Sequence, residues 1–290
     1  MKIEFKYPPG EGTKIIEAFA GANGYPYQKR MLNEGMLVKY NLTTGSEDAA
    51  VLNLYIKRDG SSSSLMVEKG DTRIIEELIK FSSVGIESEP RIGIDEAGKG
   101  DYFGPLVIAA VGMDLECEIK LRSIGVADSK NITDKRIGDL ARNIKRICPY
   151  SVVPIGPKKY NELYAAIRNL NKLLAWGHAR ALENVLNKKY FSKAISDRFT
   201  SKDTLRKALL EKGKAIDLVE IVRAEADTAV AAASILARAE FLNRLNKLSS
   251  QSGVALPKGC SDKVVPAGRS LLEKFGEGSI QNYAKLHFKT

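Results

Sequence analysis

The stretch Arg91–Val111, RIGIDEAGKGDYFGPLVIAAV, constrains the fold of this chain more than any other. A short apolar alternation before Asp95 and Glu96 predicts a strand that ends in two adjacent acids. A glycine-rich turn follows, and the apolar run Leu106–Val111 predicts a second strand. A plain β-hairpin with a charged turn would have the same outline, but it would not need so many special residues in one stretch.

Two neighbouring carboxylates at a strand end are costly to ionise unless a positive charge lies beside them, and that charge is usually a metal ion. The glycines of the turn, Gly98 and Gly100, allow backbone N–H groups to approach a polyanion, and Lys99 adds a positive charge there. The pattern therefore indicates a metal-dependent site that acts on a polyanionic substrate.

The segment Gly93–Gly100 also reads G-x-x-x-x-G-K-G, which is one residue short of a phosphate-binding P-loop. A P-loop requires Ser or Thr after its Lys to hold magnesium, and this chain has Gly100 at that position. Asp95 and Glu96 would also lie inside the phosphate cradle and repel the nucleotide. We therefore exclude a nucleotide-binding P-loop.

Composition limits the kind of metal site. The three cysteines are far apart and the chain has two histidines, so the sequence indicates neither a disulfide framework nor a zinc site. Any metal is therefore expected to bind through oxygen ligands. The N-terminus lacks the apolar core of a signal peptide, and the longest apolar run is too short to span a bilayer, so we expect a cytoplasmic protein without a membrane partner.

Charge is distributed unevenly along the chain. Residues 1–85 carry 11 basic and 11 acidic side chains, whereas residues 86–290 carry 34 basic and 24 acidic ones. The net charge of +10 thus belongs to the second part of the chain. A basic region that also contains acidic clusters suits a nucleic acid that is held by Lys and Arg and cut at a carboxylate site.

The string IGIDEAGKGDYFGPLVIAAV resembles the first catalytic motif of the type 2 and type 3 ribonucleases H, enzymes that cut RNA paired to DNA. Its part GDYFGPL, Gly100–Leu106, is more similar to type 3, ribonuclease HIII. The resemblance covers residues 91–290 by motif. It implies an endonuclease that hydrolyses the RNA strand of RNA/DNA hybrids, leaves 3′-hydroxyl and 5′-phosphate ends, and uses two Mg²⁺ or Mn²⁺ ions. No protein partner is implied, and we expect a monomer.

The resemblance also assigns the catalytic, metal-binding acids. Asp95 and Glu96 match the first two, and Asp197, which ends the predicted strand KAISD, matches the third. The fourth acid of the family precedes a small-residue helix AAASI, where this chain has both Glu225 and Asp227. The spacing leaves both open, because the preceding alanine favours Glu225 whereas Asp227 suits the start of the helix.

Six residues are implied to contact the substrate: Gly98, Lys99, Gly100, Ser129, Lys130 and Lys258. The Gly-Lys-Gly turn would meet the RNA strand and sense the 2′-hydroxyl group that distinguishes RNA from DNA. The other three belong to an Asp-Ser-Lys element and to a Leu-Pro-Lys-Gly segment near the C-terminus. His178 lies on a predicted helix, where a lone histidine is more often a packed or surface residue than a catalytic one.

The order of predicted elements indicates two domains. Residues 1–85 form a small α+β unit, and the polar stretch 82–90 is predicted to be a linker. Residues 86–290 alternate helices and strands, which indicates an α/β sheet with flanking helices. The resemblance implies a ribonuclease H-like mixed sheet here, preceded by an N-terminal substrate-binding domain similar to the TATA-binding-protein fold.

Two alternative functions are compatible with the sequence. A non-catalytic protein that binds RNA/DNA hybrids would use the basic surface alone, but it would have no reason to gather carboxylates against phosphates. A type 2-like enzyme would act at single ribonucleotides embedded in DNA. Metal-dependent cleavage of defined substrates distinguishes these functions from each other and from the type 3 activity.

Overall fold

The computed structural model describes residues 5–7, 11–44, 47–56, 58, 63–82, 89–126, 132–198, 204–222 and 224–288. The chain divides into two compact units. The first unit contains residues 1–89 and 115–127, and the second contains residues 90–114 and 128–290. The segment 115–127 thus groups with the N-terminal unit, although it lies inside the stretch that the sequence predicts to be the second domain.

In chain order, the described helices and strands are β1 (Phe5–Tyr7), α1 (Glu11–Ala22), β2 (Tyr27–Leu32), β3 (Leu37–Thr44), β4 (Glu47–Ile56), β5 (Ser63–Gly70), α2 (Thr72–Ser82), β6 (Arg91–Ala97), β7 (Leu106–Met113), α3 (Leu115–Ser123), α4 (Asp134–Ile147), β8 (Tyr150–Ile155), α5 (Pro157–Ile167), α6 (Leu170–Leu186), β9 (Lys193–Asp197), α7 (Thr204–Ala208), β10 (Asp217–Ile221), α8 (Thr228–Ser252) and α9 (Val264–Phe275).

The strands of the first unit form an antiparallel sheet in the order β1-β5-β4-β3-β2. Along β3, Val38, Tyr40 and Leu42 are buried, whereas the residues between them are half-buried. The buried face forms one core with α1 and α2, to which α1 contributes Phe19 and α3 contributes Ile119. Side chains of opposite strand parity point to the other face of the sheet, as the pleat requires. The predicted small α+β unit is confirmed.

The strands of the second unit form a mixed sheet in the order β10-β9-β6-β7-β8. β6, β9 and β10 are parallel to one another, whereas β7 pairs antiparallel with both β6 and β8. Every residue of β7 is buried, because α6 and α8 both pack on the sheet. This double coverage accounts for the continuous apolar run in the sequence. The predicted α/β mixed sheet with flanking helices is confirmed.

β6 and α8 are in direct backbone contact at Gly93. A Cβ atom at this position would lie 2.1 Å from the carbonyl carbon of Ala229. The alanines that follow on α8, Ala231, Ala232 and Ala233, are fully buried. Small residues on both elements therefore bring α8 close enough to β6 to place the helix beside the two acids that end the strand.

Local sequence features account for where two of the helices start. Thr133 accepts a hydrogen bond from the backbone N–H of Arg136 at the start of α4, and Pro157 begins α5, where its fixed backbone angle suits the first helical position. The small-residue helix that contains AAASI is α8, which extends to Ser252 because buried residues such as Leu245 continue its packed face. The predicted substrate contacts Ser129 and Lys130 lie outside the described residues.

Candidate active site

Strand register brings three of the acids singled out in the sequence to one end of the sheet. β6 and β9 are parallel neighbours in which Ile94 pairs with Ser196. Asp95 and Asp197 are the next residues on these two strands, and Glu96 follows Asp95. Because parallel strands that are aligned in this way end at the same edge, the acids lie together at the carboxyl ends of β6 and β9.

The carboxylate of Asp95 lies where its negative charge is disfavoured. Burial and the neighbouring charge of Glu96 raise the pKa of Asp95 to about 6, although hydrogen bonds from Ser234 and from the backbone N–H of Glu96 act in the opposite direction. The backbone nitrogen of Glu96 lies 2.8 Å from Asp95 Oδ1. A cation beside Asp95 would stabilise the ionised form that burial disfavours.

The pKa of Glu96 is shifted in the opposite direction from that of Asp95. Burial alone would raise its pKa, but hydrogen bonds and charge interactions with His178 and Lys99 outweigh burial and lower the pKa to about 2. Lys99 Nζ lies 2.6 Å from Glu96 Oε1, and His178 Nε2 lies 3.1 Å from Oε2. Glu96 is therefore ionised at neutral pH and is held by a partner on each oxygen.

His178 belongs to the site, although its place on a helix favoured an ordinary packed or surface role. The side chain is fully buried on α6, and its Nδ1 lies 3.2 Å from Ser196 Oγ. Because an ionised carboxylate only accepts hydrogen bonds, Nε2 donates to Glu96. His178 thus connects the two acid-bearing strands β6 and β9. Helical periodicity indicates that such a residue is buried, but it does not name its partner on a strand 82 residues earlier.

Asp227 acts as the N-cap of α8. Its Oδ1 accepts hydrogen bonds from the backbone N–H groups of Ala229 at 2.8 Å and Val230 at 3.2 Å. Its Oδ2 lies 2.6 Å from Arg91 Nε. Both carboxylate oxygens are therefore engaged in contacts that start and anchor the helix, which is the role that the position of Asp227 in the sequence favours.

Glu225 lies in a single 3₁₀ turn, Ala224–Ala226, between β10 and α8. The backbone nitrogen of Ala224 lies 3.4 Å from Asp197 Oδ1, so this turn adjoins the third acid. The side chain of Glu225 lies outside the described atoms. Among the side chains that the structure does describe, no three His, Cys, Asp or Glu residues are grouped closely enough to hold a metal ion. A metal centre here would need a further acid, and Glu225 is the candidate by position.

The turn after β6 has a backbone that only glycine adopts readily. Gly98 has φ +87°, and a Cβ atom there would lie 2.2 Å from the carbonyl oxygen of Pro105. At Gly100, by contrast, the space where a Cβ atom would lie is open to at least 4 Å among the described atoms. The side chain of Lys99 is half-exposed between these glycines. The turn therefore presents its backbone and one positive charge at the end of the sheet that carries the acids.

The Leu-Pro-Lys-Gly segment packs against this turn. The backbone N–H of Gly259 donates to Asp101 Oδ1 at 2.7 Å, and the carbonyl oxygen of Gly259 accepts from the N–H of Tyr102 at 2.9 Å. Lys258 itself forms an ion pair with Asp134, with 2.9 Å between Nζ and Oδ2, and about half of its side chain is exposed. The backbone of this segment thus supports the turn, while Lys258 lies at the surface.

The C-terminal segment also supports the turn. Lys285 is fully buried, although a basic tail is normally solvated. Ala284 forms a β-bridge with Phe103, and Lys285 Nζ lies 2.7 Å from the carbonyl oxygen of Gly104. Burial lowers the pKa of Lys285 to about 7, against the opposing charge of Asp101. The end of the chain therefore contributes a buried amine to the back of the turn.

This buried amine predicts a pH dependence of stability. The folded protein releases the Lys285 proton near pH 7, whereas the unfolded chain keeps it up to its ordinary pKa of 10.5, so the unfolded state binds more protons between these values. We therefore expect the free energy of unfolding to increase with pH across this window. The increase per pH unit should be larger in the unmodified protein than in Lys285→Met, by at most about 1.4 kcal/mol. Urea denaturation of both proteins near neutral and alkaline pH measures the difference. If the free energy of unfolding changed with pH equally in both proteins, the expectation would be contradicted.

Comparison with known proteins defines the class to which this fold and site belong. A family model described as Ribonuclease HII matches residues 92–290, the part of the chain that carries the four acids. The chain therefore belongs to the ribonuclease HII family and is a ribonuclease H enzyme. A non-catalytic hybrid-binding protein, one of the alternatives from the sequence, is thereby set aside.

The relatives indicate the type within this family. Ribonuclease HIII of Protochlamydia amoebophila (strain UWE25) is 46% identical over 205 residues, which cover 71% of this chain and 68% of that protein. Ribonuclease HIII of Chlamydia pneumoniae is 43% identical over 241 residues, which cover 79% of this chain and 81% of that protein. The prediction of a type 3 ribonuclease H from the motif GDYFGPL is confirmed.

Solved structures extend the similarity to the N-terminal unit. Bst-RNase HIII in complex with Mn²⁺ matches with a TM-score of 0.66 and 25% identity, covering 98% of this chain and 96% of that one. Aquifex aeolicus RNase H3 matches with a TM-score of 0.60 and 26% identity, covering 99% and 100%. In the part of the chain that the structure describes, the helices are too short or too polar to span a membrane.

Proposed function

We propose that this chain hydrolyses the RNA strand of RNA/DNA hybrids with two divalent metal ions and leaves 3′-hydroxyl and 5′-phosphate ends. The observation that carries the proposal is the convergence of Asp95, Glu96 and Asp197 at one end of the sheet, beside the turn that contains Glu225. Buried acids repel a phosphodiester unless cations lie between them. Their presence in a basic unit therefore supports metal-dependent hydrolysis.

The donor set suits Mg²⁺ or Mn²⁺, because both ions prefer oxygen ligands. The raised pKa of Asp95 supports the same assignment, since a bound cation would offset the cost of ionising this buried acid. Bst-RNase HIII, which is similar in fold, was solved in complex with Mn²⁺. We assign the metal-binding and catalytic roles to four acids: Asp95, Glu96, Asp197 and Glu225. Two bound ions would supply the positive charge needed at the attacking water and at the departing 3′ oxygen.

The protein's own side chains orient these acids. His178 donates to Glu96 from α6, and Ser234 donates to Asp95 from α8. Glu96 and Asp95 are thereby held by two different helices, which lie on opposite sides of β6. A fixed orientation matters because ligands that are already in place do not have to be ordered when the ions and the substrate bind.

Substrate contacts are proposed for the turn that follows the acids. Gly98, Lys99 and Gly100 would bring backbone N–H groups and one positive charge to the RNA strand near its 2′-hydroxyl groups. Lys258 is half-exposed but pairs with Asp134, so a phosphate would have to replace that carboxylate. The roles of Ser129 and Lys130 stay predictions.

The orienting role of His178 leads to a specific prediction. We expect His178→Ala to lower the rate of hybrid cleavage by about 10- to 100-fold, because Glu96 loses the donor that holds Oε2. His178→Gln can still donate from its amide and should retain more of the activity. Cleavage rates at saturating metal and substrate, compared with thermal melts of the same variants, separate misorientation from unfolding. Unchanged activity in a folded His178→Ala protein would contradict the role.

The test of the function uses four duplexes that share one base sequence: an RNA/DNA hybrid, an RNA duplex, a DNA duplex, and a DNA duplex with one ribonucleotide. We expect cleavage of the hybrid alone to be efficient with Mg²⁺ or Mn²⁺ and absent with a chelator, and the product to carry a 5′-phosphate. Efficient incision at the lone ribonucleotide with Mg²⁺ would indicate type 2 behaviour.

Light scattering of the same sample tests the expected monomer.

We propose that the N-terminal unit holds the substrate through the face of its sheet that points away from α1 and α2. Arg30, Lys39 and Asn53 pair across β2, β3 and β4, so their side chains share this face. Lys29, the neighbour of Arg30, points to the helix side, where its Nζ lies 2.7 Å from Glu17 Oε1. Lys29 and Arg30 are adjacent on β2, and their side chains therefore point to opposite faces of the sheet.

Arg30 and Lys29 therefore form a matched pair for a test. We expect Arg30→Gln to raise KM for hybrid about two- to fivefold with little change in kcat. The slope of the logarithm of the binding constant against the logarithm of the salt concentration should become shallower by about 0.9, the value for one lost phosphate contact. Lys29→Gln removes the same charge from the other face and should change KM less. Equal effects of the two substitutions would contradict the assignment of the face. Deleting residues 1–85 is a poorer test, because it would expose Ile119, which is buried in the same core.

A further inference from the structure

A basic groove follows the edge strand β8 of the second unit. A cavity of about 540 Å³ is lined by Tyr150 and Val152 of β8, by Lys188 after α6, and by Lys145 and Arg244. A second cavity of about 240 Å³ shares Arg244 and adds Lys247 and Pro105. The two cavities adjoin at Arg244, and we call them together the β8 groove.

The charges of the β8 groove are unbalanced. Its described lining contains Lys145, Lys188, Arg244 and Lys247, whereas Glu240 is the one acid among the described residues that line it. Glu240 is already paired with Arg244, with 2.6 Å between Oε1 and Nε. The groove therefore has a net positive charge along its whole length, which favours an anionic occupant.

Two of these cations converge on one aromatic ring. Lys188 Nζ lies 4.9 Å from the ring centroid of Tyr150, and Lys145 Nζ lies 5.9 Å from the same centroid. Both ammonium groups are attracted to this ring, and together they concentrate positive charge at one end of the groove. Proteins that bind nucleic acids commonly combine a positively charged groove, which follows the phosphate backbone, with aromatic side chains.

The groove is connected to the candidate active site by the sheet itself. Val152 pairs with Ala109, and Ala109 pairs with Asp95, so two strand spacings of about 5 Å each separate the groove from the acid. Pro105, at the other end of the groove, follows the turn that carries Lys99. The near end of the groove therefore lies next to the end of that turn.

We infer that the β8 groove binds the phosphate backbone of the hybrid beyond the cleavage site. This inference rests on the proposed function and identifies a contact outside the four acids and the Gly-Lys-Gly turn. A peptide that pairs with β8 is disfavoured, because Pro154 has no N–H group and Lys188 already donates to the carbonyl oxygen of Tyr150.

The experiment compares two hybrids, one of about 8 base pairs, which spans roughly 27 Å and leaves room for fewer contacts with the groove, and one of about 24 base pairs, which spans roughly 80 Å. The groove variant carries Lys145→Gln, Lys188→Gln and Lys247→Gln in the full chain. Its dissociation constants for both hybrids are measured by fluorescence anisotropy with a chelator present, so the readout does not require cleavage. We expect binding of the long hybrid to weaken on the order of tenfold. The slope of the logarithm of its binding constant against the logarithm of the salt concentration should become shallower by about 2 to 3.

The control variant removes equal charge from the other side of the sheet. Three exposed lysines lie near β10, the opposite edge strand: Lys207 on α7, and Lys212 and Lys214 between α7 and the start of β10. Changing all three to Gln should alter binding of either hybrid less than twofold. An equal loss for both variants, an equal loss for both lengths, or no loss in the groove variant would each overturn the inference. Absence of hybrid cleavage by the unmodified protein would instead refute the proposed function.

Discussion

Asp95→Asn should abolish metal-dependent cleavage, with a loss of activity of at least about a thousandfold. The substitution keeps the size of the side chain and one oxygen that can accept from the backbone of Glu96. It removes the negative charge that we assign to metal binding. Because burial already disfavours that charge, the thermal midpoint of the variant at neutral pH should equal or exceed that of the unmodified protein.

Activity, melting temperature and hybrid binding are measured on the same preparation of Asp95→Asn. Asp114→Asn is the matched control, because Asp114 lies just after β7, at the opposite end of the same hairpin, and pairs with Lys189. The control should cleave hybrid normally. Near-normal turnover in Asp95→Asn would contradict the site assignment, and a collapse of its melting temperature would leave a structural role for Asp95 instead.

Glu225→Gln and Asp227→Asn should differ in which property they change. We expect Glu225→Gln to lower activity at least about a hundredfold with little change in stability, because it removes a ligand charge. Asp227→Asn should keep most of the activity, since an Asn can still cap α8 through its amide oxygen. It should lower the free energy of unfolding by about 1–3 kcal/mol, because Arg91 loses its charged partner in a largely buried pair.

Cleavage rates and urea denaturation of both variants decide between the two acids. A large loss of activity in Asp227→Asn with normal activity in Glu225→Gln would identify Asp227 as the fourth ligand. That outcome would also mean that Asp227 exchanges its contacts with the backbone of α8 for a metal, which the two hydrogen bonds to its Oδ1 make unfavourable.

The features of this protein that depend on local chemistry can be predicted from its sequence. Asp95 and Glu96 at the end of an apolar alternation, followed by glycines, predicted a strand with an acidic end and the family to which the chain belongs. Helix starts such as Thr133 and Pro157 were also predictable, because capping and proline geometry act within a few residues.

Contacts between residues that are distant in the sequence depend on the tertiary structure. The parallel register of β6 and β9 places Asp197 beside Asp95, and the packing of α6 places His178 against Glu96. Lys285 is fully buried behind the turn that follows β6, although lysine side chains are normally exposed to solvent. These contacts join residues from 82 to 182 positions apart, and no propensity or spacing encodes them, because they follow from how whole strands and helices pack.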